Sequence, residues 1–139
     1  MKKLVLILTV VVFLVSLVAC GGGGKYAEVK DVMGKSADAT EKFVAAAEKV
    51  ASADDAAAAL NDYAEAMAVL APKMGEFAKK FPEIKNQQDL PAEIKAEVER
   101  FIAAMGKFSG VMMKFVPYAS DPKVMEAQKK VGEAMAAMK

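Results

Sequence analysis

Sulfur atoms carry the most distinctive chemistry in this sequence, which has ten methionines, one cysteine and no histidine. Thioether sulfur is a soft ligand that suits Cu(I), so methionines outside a packed core could hold that ion. Methionine also fills irregular gaps in hydrophobic cores, and this role explains those at regular helical spacing. The sequence predicts no metal site, and the residual candidates for Cu(I) are Met113, Met125, Met135 and Met138.

The sequence lacks the side chains that many common enzyme active sites require. Without histidine there is no Ser-His-Asp triad, no imidazole zinc site and no Glu-x-x-His di-iron motif. Carboxylates alone could act as acids or bind hard cations, but helix capping and surface ion pairs also explain them. We expect no catalytic residue and no enzyme activity. The carboxylates concerned are Asp54, Asp55, Glu93, Glu97 and Glu99.

The single cysteine, Cys20, follows a segment typical of an export signal. A Lys-Lys pair precedes a nearly continuous apolar run over residues 4–18. The run is shorter than the about 20 apolar residues that a membrane-spanning helix needs. An ordinary cleavage directly before Cys20 would leave the bulky Leu17 where a small residue is preferred.

The four residues LVAC at positions 17–20 resemble the lipobox of bacterial lipoproteins. That resemblance implies a signal peptide over residues 1–19 that is removed. It also implies that the mature chain begins at Cys20, which carries diacylglycerol and an N-acyl chain such as palmitate. Several acyl chains anchor a protein stably, whereas one binds only marginally. The alternatives are an uncleaved anchor helix and a cut signal that leaves a free thiol.

Four glycines at residues 21–24 predict a flexible tether about 10 Å long. The chain would then consist of an anchor and tether over residues 20–24 and one domain over residues 25–139. In lipoproteins of two-membrane bacteria, aspartate after the cysteine implies retention in the inner membrane. Gly21 stands there instead, which implies a lipid-anchored envelope protein on the outer membrane, facing the periplasm.

The charge balance gives no sign of a nucleic-acid partner. The chain has 19 basic and 18 acidic residues. Without the two lysines of the signal, the mature chain is slightly acidic. Its lysines alternate with glutamates, and Arg100 is the only arginine. We expect no nucleic-acid binding.

Apolar residues recur at helical spacing throughout the domain, which predicts an all-α fold. A less regular first helix precedes two stretches in which apolar residues alternate at spacings of three and four, and a shorter fourth helix follows. The two regular seams are Leu60, Tyr63, Met67, Leu70, Met74, Phe77 and Phe81, and then Ile94, Val98, Phe101, Met105, Phe108, Met112 and Phe115.

Residues at the predicted helix ends agree with four helices. Ser52 and Asp55 resemble a capping box, and Asp121 with Pro122 forms a start signal for the fourth helix. Because short connections join antiparallel neighbours, we predict an antiparallel, up-down-up-down four-helix bundle with a short fourth helix. Pro72 falls inside the second helix and predicts a kink there.

The third helix carries two features beyond a core stripe. Gly106 and Gly110 predict close approach of a neighbouring helix, with a binding notch as the alternative. After Gly110, apolar side chains cover more than half of the helix circumference, which exceeds one core face. We expect part of this surplus to contact a partner protein, a second copy or the bilayer. The candidate contact residues are Val111, Met113, Val116 and Tyr118.

The function that best fits these features is that of a membrane-anchored envelope lipoprotein whose helical domain is a non-catalytic interaction or structural module. Its partners would be the bilayer, through Cys20, and an envelope protein or a second copy. The alternative function is binding of Cu(I) through methionine, or of an apolar ligand, in the envelope. Apart from the lipids on Cys20, no cofactor is expected.

Overall fold

The computed structural model describes residues 24–86 and 89–138, and within them the chain is all-helical. The predicted all-α class with four helices is confirmed. Within the described ranges no helix is both long enough and apolar enough to cross a membrane. The predicted signal, Cys20 and most of the glycine tether lie outside the described residues. The four helices are α1 (Ala27–Ala47), α2 (Ala53–Lys80), α3 (Ala92–Val111) and α4 (Pro122–Ala136).

Two 3₁₀ segments join these helices. Pro82–Lys85 follows α2, and Met112–Tyr118 continues directly from α3 towards α4. We name the second the crossover segment. It contacts the ends of α1 and α2 as well as α3, so it runs across one end of the domain.

Side chains cap two of the helices where the sequence predicts it. At the start of α2 the Asp55 backbone N–H donates to Ser52 Oγ (3.1 Å), and the Ser52 hydroxyl donates to Asp55 Oδ2 (2.8 Å). At the start of α4 the Lys123 backbone N–H donates to Asp121 Oδ1 (2.9 Å). Each cap satisfies a backbone donor that the first helical turn leaves unpaired.

The closest helix packing joins α1 with α3, α2 with α4, and α1 with α2. Helices α3 and α4 share no comparably close packing among the described residues. The predicted contact between these consecutive helices is therefore much weaker than expected. The seven residues of the crossover segment span about 14 Å in 3₁₀ geometry, which is enough to carry the chain past a neighbouring helix.

Cross-helix contacts give the relative direction of the paired helices. Lys123 Nζ lies 2.6 Å from Asp54 Oδ1 and Lys130 Nζ lies 3.4 Å from Asn61 Oδ1. Residue numbers rise together along this pair, so α4 runs in the same direction as α2.

The other two helix pairs follow the same logic. Between α1 and α3, Lys30 pairs with Glu97 at 3.5 Å. Further along both helices, the Lys114 ammonium after α3 donates to the Glu48 carbonyl oxygen after α1 at 3.0 Å. Residue numbers therefore rise together, and α1 and α3 run in the same direction. Residue numbers instead run oppositely between α1 and α2, since the Tyr26 ring packs against Phe81 whereas the Phe43 ring packs against Tyr63.

An aromatic cluster forms the part of the core next to the crossover segment. The ring centroid of Phe43 lies 5.0 Å from Tyr63, 4.8 Å from Phe108 and 5.6 Å from Phe115. Centroid separations of this size are favourable for aromatic pairs. Burial raises the pKa of the Tyr63 hydroxyl. The cluster ties α1, α2, α3 and the crossover segment together.

The apolar seam of α3 is only partly covered. Phe101, Met105 and Phe108 are half-buried, and the neighbouring Ile102 is 39% exposed. Met105 Sδ lies 4.0 Å from the Tyr63 hydroxyl, and the Phe108 ring lies against Phe43 and Tyr63, so these two side chains face α1 and α2. The sequence marks them as apolar but does not say which helix lies against them.

The prediction for Gly106 and Gly110 is wrong for the described residues. A β-carbon added at either position would meet no atom within 4 Å, so no described helix approaches there. Close approach occurs instead at Gly75, where such a carbon would stand 2.8 Å from the Met138 carbonyl oxygen. Helix α2 continues through Pro72 to Lys80, and the bend expected at that proline stays a prediction.

Candidate interaction surface

The crossover segment turns two apolar side chains outward. In a 3₁₀ helix three residues complete one turn, so side chains three apart share a face. Met112, Phe115 and Tyr118 form the face that packs on the core. Met113 and Val116, also three apart, lie on the opposite side and are 71% and 60% exposed. We name these two residues the distal patch.

Two interactions hold the crossover segment in place. The Phe115 side chain is 1% exposed, and its ring lies nearly parallel to Phe43, with an angle of 9° between the planes. The Lys114 ammonium donates to the Glu48 carbonyl oxygen at 3.0 Å, just beyond the end of α1. The distal patch is thus carried by a segment that is fixed at Lys114 and Phe115, the two residues between Met113 and Val116.

The four predicted contact residues have different environments. Val111 is 8% exposed and belongs to the core, and Tyr118 is half-buried against it. Only Met113 and Val116 are available to a partner without rearrangement. Pro117 lies inside the crossover segment and has no backbone N–H to donate, so its effect on the segment could not be deduced from apolar spacing.

At the end of the domain opposite the distal patch, hydrogen bonds hold the residues that precede α1. The Tyr26 hydroxyl and the Lys25 ammonium both donate to Glu83 Oε1, at 2.6 Å and 2.8 Å. Hydrogen bonds from Lys25 and then Tyr26 lower the pKa of the Glu83 carboxyl to about 2, and the same carboxylate raises the pKa of Lys25. We name these three residues the entry clamp, because they fix where the chain enters α1.

The distal patch and the entry clamp lie at opposite ends of the domain. Tyr26 packs on Phe81 at the end of α2. The crossover segment contacts Glu48, which follows α1. Helix α1 has 21 residues, so at helical rise the two ends are about 30 Å apart.

The four methionines proposed for Cu(I) are not brought together. Met113 lies on the crossover segment, and Met125 lies in the first turn of α4 with 56% of its surface exposed. Met135 and Met138 lie at the other end of α4, and Met135 is about 15 Å from Met125 along the helix axis. Nothing in their placement favours a shared ligand.

Four of the five carboxylates considered as acids or metal ligands, Asp54, Asp55, Glu97 and Glu99, take part in a helix cap or in ion pairs. Hydrogen bonds from the Ser52 hydroxyl and then the Ala51 N–H lower the pKa of Asp55. Asp54 pairs with Lys123 at 2.6 Å. Within residues 24–86 and 89–138, no three His, Cys, Asp or Glu side chains are grouped so that they could hold a metal ion.

Two grooves on the domain surface have alanine-rich walls and charged rims. The first, of about 610 Å³, lies between α1 and α3, where Arg100 pairs with both Asp38 and Glu41. Those two carboxylates raise the pKa of the guanidinium. The second, of about 410 Å³, lies between α2 and α4 beside Asn61 and Lys130. Both grooves follow from small side chains between adjacent helices, and neither brings convergent polar groups to an apolar floor.

No protein-family model, no curated protein and no solved structure gives a significant match to this chain.

Proposed function

We propose that this protein is a lipid-anchored envelope protein whose helical domain is a non-catalytic docking module. Diacylglycerol and an N-acyl chain on Cys20 would hold it on the outer membrane, facing the periplasm, where the organism has two membranes. Residues 25–139 would form an up-down-up-down bundle that presents the distal patch to a partner protein.

The exposure of Met113 and Val116 is the observation that carries this proposal. Both side chains lie on a held segment, three residues apart, and both are more than half exposed. Isolated exposed hydrophobic residues are normal on proteins, but two adjacent ones on an ordered segment are suited to a binding contact. Methionine adds a flexible, polarizable surface that adapts to a partner.

The distance between the two ends favours a protein over the bilayer as the occupant. A four-glycine tether reaches about 10 Å from the lipid, whereas the distal patch lies about 30 Å from the entry clamp along α1. With the domain standing on its tether, the patch would face away from the membrane that holds Cys20. The partner would therefore lie in the periplasm, or on the surface across the periplasm from the membrane that holds Cys20.

Charged residues of both signs are close to the patch in the sequence. Lys114 lies between its two members, and Asp121 and Lys123 follow at the start of α4. A polar rim around an apolar contact is typical of protein–protein interfaces. An apolar pocket or the apolar face of a helix on the partner would fit this arrangement.

Photo-crosslinking in intact cells tests the proposal with the full-length lipoprotein. A photoreactive residue at position 116 should give one discrete crosslinked species, which Met113→Lys should remove. Val69→Lys is the matched control because Val69 is 65% exposed on α2, and it should leave the crosslink unchanged. A product of twice the chain mass would identify a second copy as the partner. Crosslinks that survive Met113→Lys, or crosslinks to lipid alone, would contradict the proposal.

A further inference from the structure

A small cavity lies near the entry clamp, where α1, α2, the segment Pro82–Lys85 and the end of α4 meet. Its volume is about 220 Å³, and its lining is apolar except for Lys85. Three of the lining side chains are thioethers that come from three different parts of the chain. They are Met33 from α1, Met74 from α2 and Met138 after α4.

The size of the cavity restricts what it could bind. Pockets for drug-sized organic ligands have volumes of about 300–1,000 Å³. This cavity is smaller, so it suits an ion or a very small molecule. The long unbranched side chains of methionine can move their sulfur atoms towards such an occupant without a backbone change.

The chemistry of the lining selects a soft cation. Thioether sulfur is a neutral, soft donor that prefers Cu(I), whereas Mg²⁺, Ca²⁺ and Mn²⁺ prefer oxygen ligands. No Asp, Glu, His or Cys is among the residues that line this cavity. The Ser36 hydroxyl, which donates to the Val32 carbonyl oxygen at 2.8 Å, lies 3.4 Å from Met74 Sδ on the α1 side.

The chain holds Met138 beside Met74 through a specific backbone contact. Gly75 directly follows Met74, and a β-carbon at Gly75 would stand 2.8 Å from the Met138 carbonyl oxygen. The missing side chain therefore lets the end of the chain lie against α2. All three thioethers are half-buried, so an ion could reach them, in contrast to Met67, which is fully buried in the core.

We infer that Met33, Met74 and Met138 form a binding site for Cu(I). The inference does not depend on the docking function, since the cavity and the distal patch lie at opposite ends of the domain. Binding involves no redox step, because the copper enters and stays as Cu(I). It also releases no proton, because a thioether carries none. The affinity should therefore be nearly constant across the pH range in which thiolate or imidazole sites change strongly.

The decisive experiment is a Cu(I) titration of the full lipoprotein in detergent without oxygen. Copper is supplied as its acetonitrile complex, and a chromophoric Cu(I) chelator competes for it. With ¹³C-labelled methionine methyl groups, the expected result is one bound ion and shifted resonances for Met33, Met74 and Met138 only. Shifts confined to Met113 and Met125, or complete retention of copper by the chelator, would overturn the inference.

Conservative variants supply a second readout. Met33→Leu, Met74→Leu and Met138→Leu keep the side-chain volume. Each should weaken Cu(I) binding by at least about tenfold. Loss of a residue that only hydrogen-bonds to a metal ligand already lowers metal affinity by about that factor, so loss of a ligand should cost no less. Met113→Leu with Met125→Leu is the matched control and should bind as the unaltered chain does. Equal affinity in all these variants would contradict the site. Cu(I) should also raise the unfolding temperature of the unaltered chain, because it binds the folded form.

Discussion

Tyr26 and Glu83, which are 57 residues apart, are joined by a 2.6 Å hydrogen bond from the phenol to the carboxylate. Lys25 donates to the same oxygen, and together they lower the pKa of Glu83 to about 2. An unfolded glutamate has a pKa of about 4.3. The carboxylate therefore contributes stability above the unfolded pKa, and this contribution is lost as the pH falls through about 2.

A carboxyl NMR titration of Glu83 should give a midpoint near the folded value of about 2. Urea unfolding measured at about pH 5 and about pH 2.5 should show a smaller loss of stability for Glu83→Gln than for the unaltered chain. Glu76→Gln serves as the control, because Glu76 lies outside the entry clamp. A Glu83 midpoint at the ordinary glutamate value would show that the clamp does not form in solution.

Glycine substitutions should have opposite effects at two sites. Gly106→Ala should raise the free energy of unfolding by about 1 kcal/mol, because alanine favours helix and the site is open. Gly75→Ala should lower it, because the new carbon meets the Met138 backbone and overpacking costs about 1–3 kcal/mol. Thermal unfolding of both variants measures the difference, and equal stabilisation would show that the end of the chain does not rest on Gly75.

Neighbouring residues of the crossover segment should differ sharply in their effect on stability. Met113→Lys and Val116→Lys should each change the free energy of unfolding by less than about 0.5 kcal/mol, as exposed substitutions usually do. Phe115→Ala should cost about 3–5 kcal/mol, because its ring is 1% exposed and stacks on Phe43. Chemical denaturation checks all three. A large cost at Met113 would mean that it belongs to the core and is not a docking residue.

Cys20→Ala should abolish incorporation of labelled palmitate and leave the chain at its uncleaved size, because Leu17 disfavours an ordinary cut before position 20. Gly21→Asp should leave the lipid in place but move the protein to the inner membrane if the lipobox resemblance extends to sorting. Membrane fractionation after labelling measures both. An unaltered chain that takes up no palmitate and stays in membranes at its uncleaved size would instead indicate that residues 4–18 remain as an anchor helix.

The features predicted most successfully from the sequence are those that depend only on nearby residues of the same helix. The regular seam of α2 is buried at Leu60, Tyr63 and Met67, as its spacing indicated. The Ser52–Asp55 and Asp121 caps form because each needs only a few consecutive residues. Such local rules act before any other helix is in place.

Predictions that depended on which helices pack against each other were less successful. The spacing of α3 was as regular as that of α2, yet Phe101 and Met105 are only half-buried, and α4 packs on α2 and not closely on α3. The cavity with Met33 and Met74 could not be foreseen either. Its three sulfur atoms come from distant positions, and no sequence spacing indicates that helix packing will bring them to one place.

The positions of the entry clamp and the distal patch also determine how a pulling force would pass through the protein. With lipid holding one end and a partner the other, tension would run along the helix axes. Lateral pairs such as Lys30–Glu97 and Arg100–Asp38 would then be sheared together instead of opening one after another. A domain loaded in this way would resist extension along its whole length, because many lateral contacts would have to break at once.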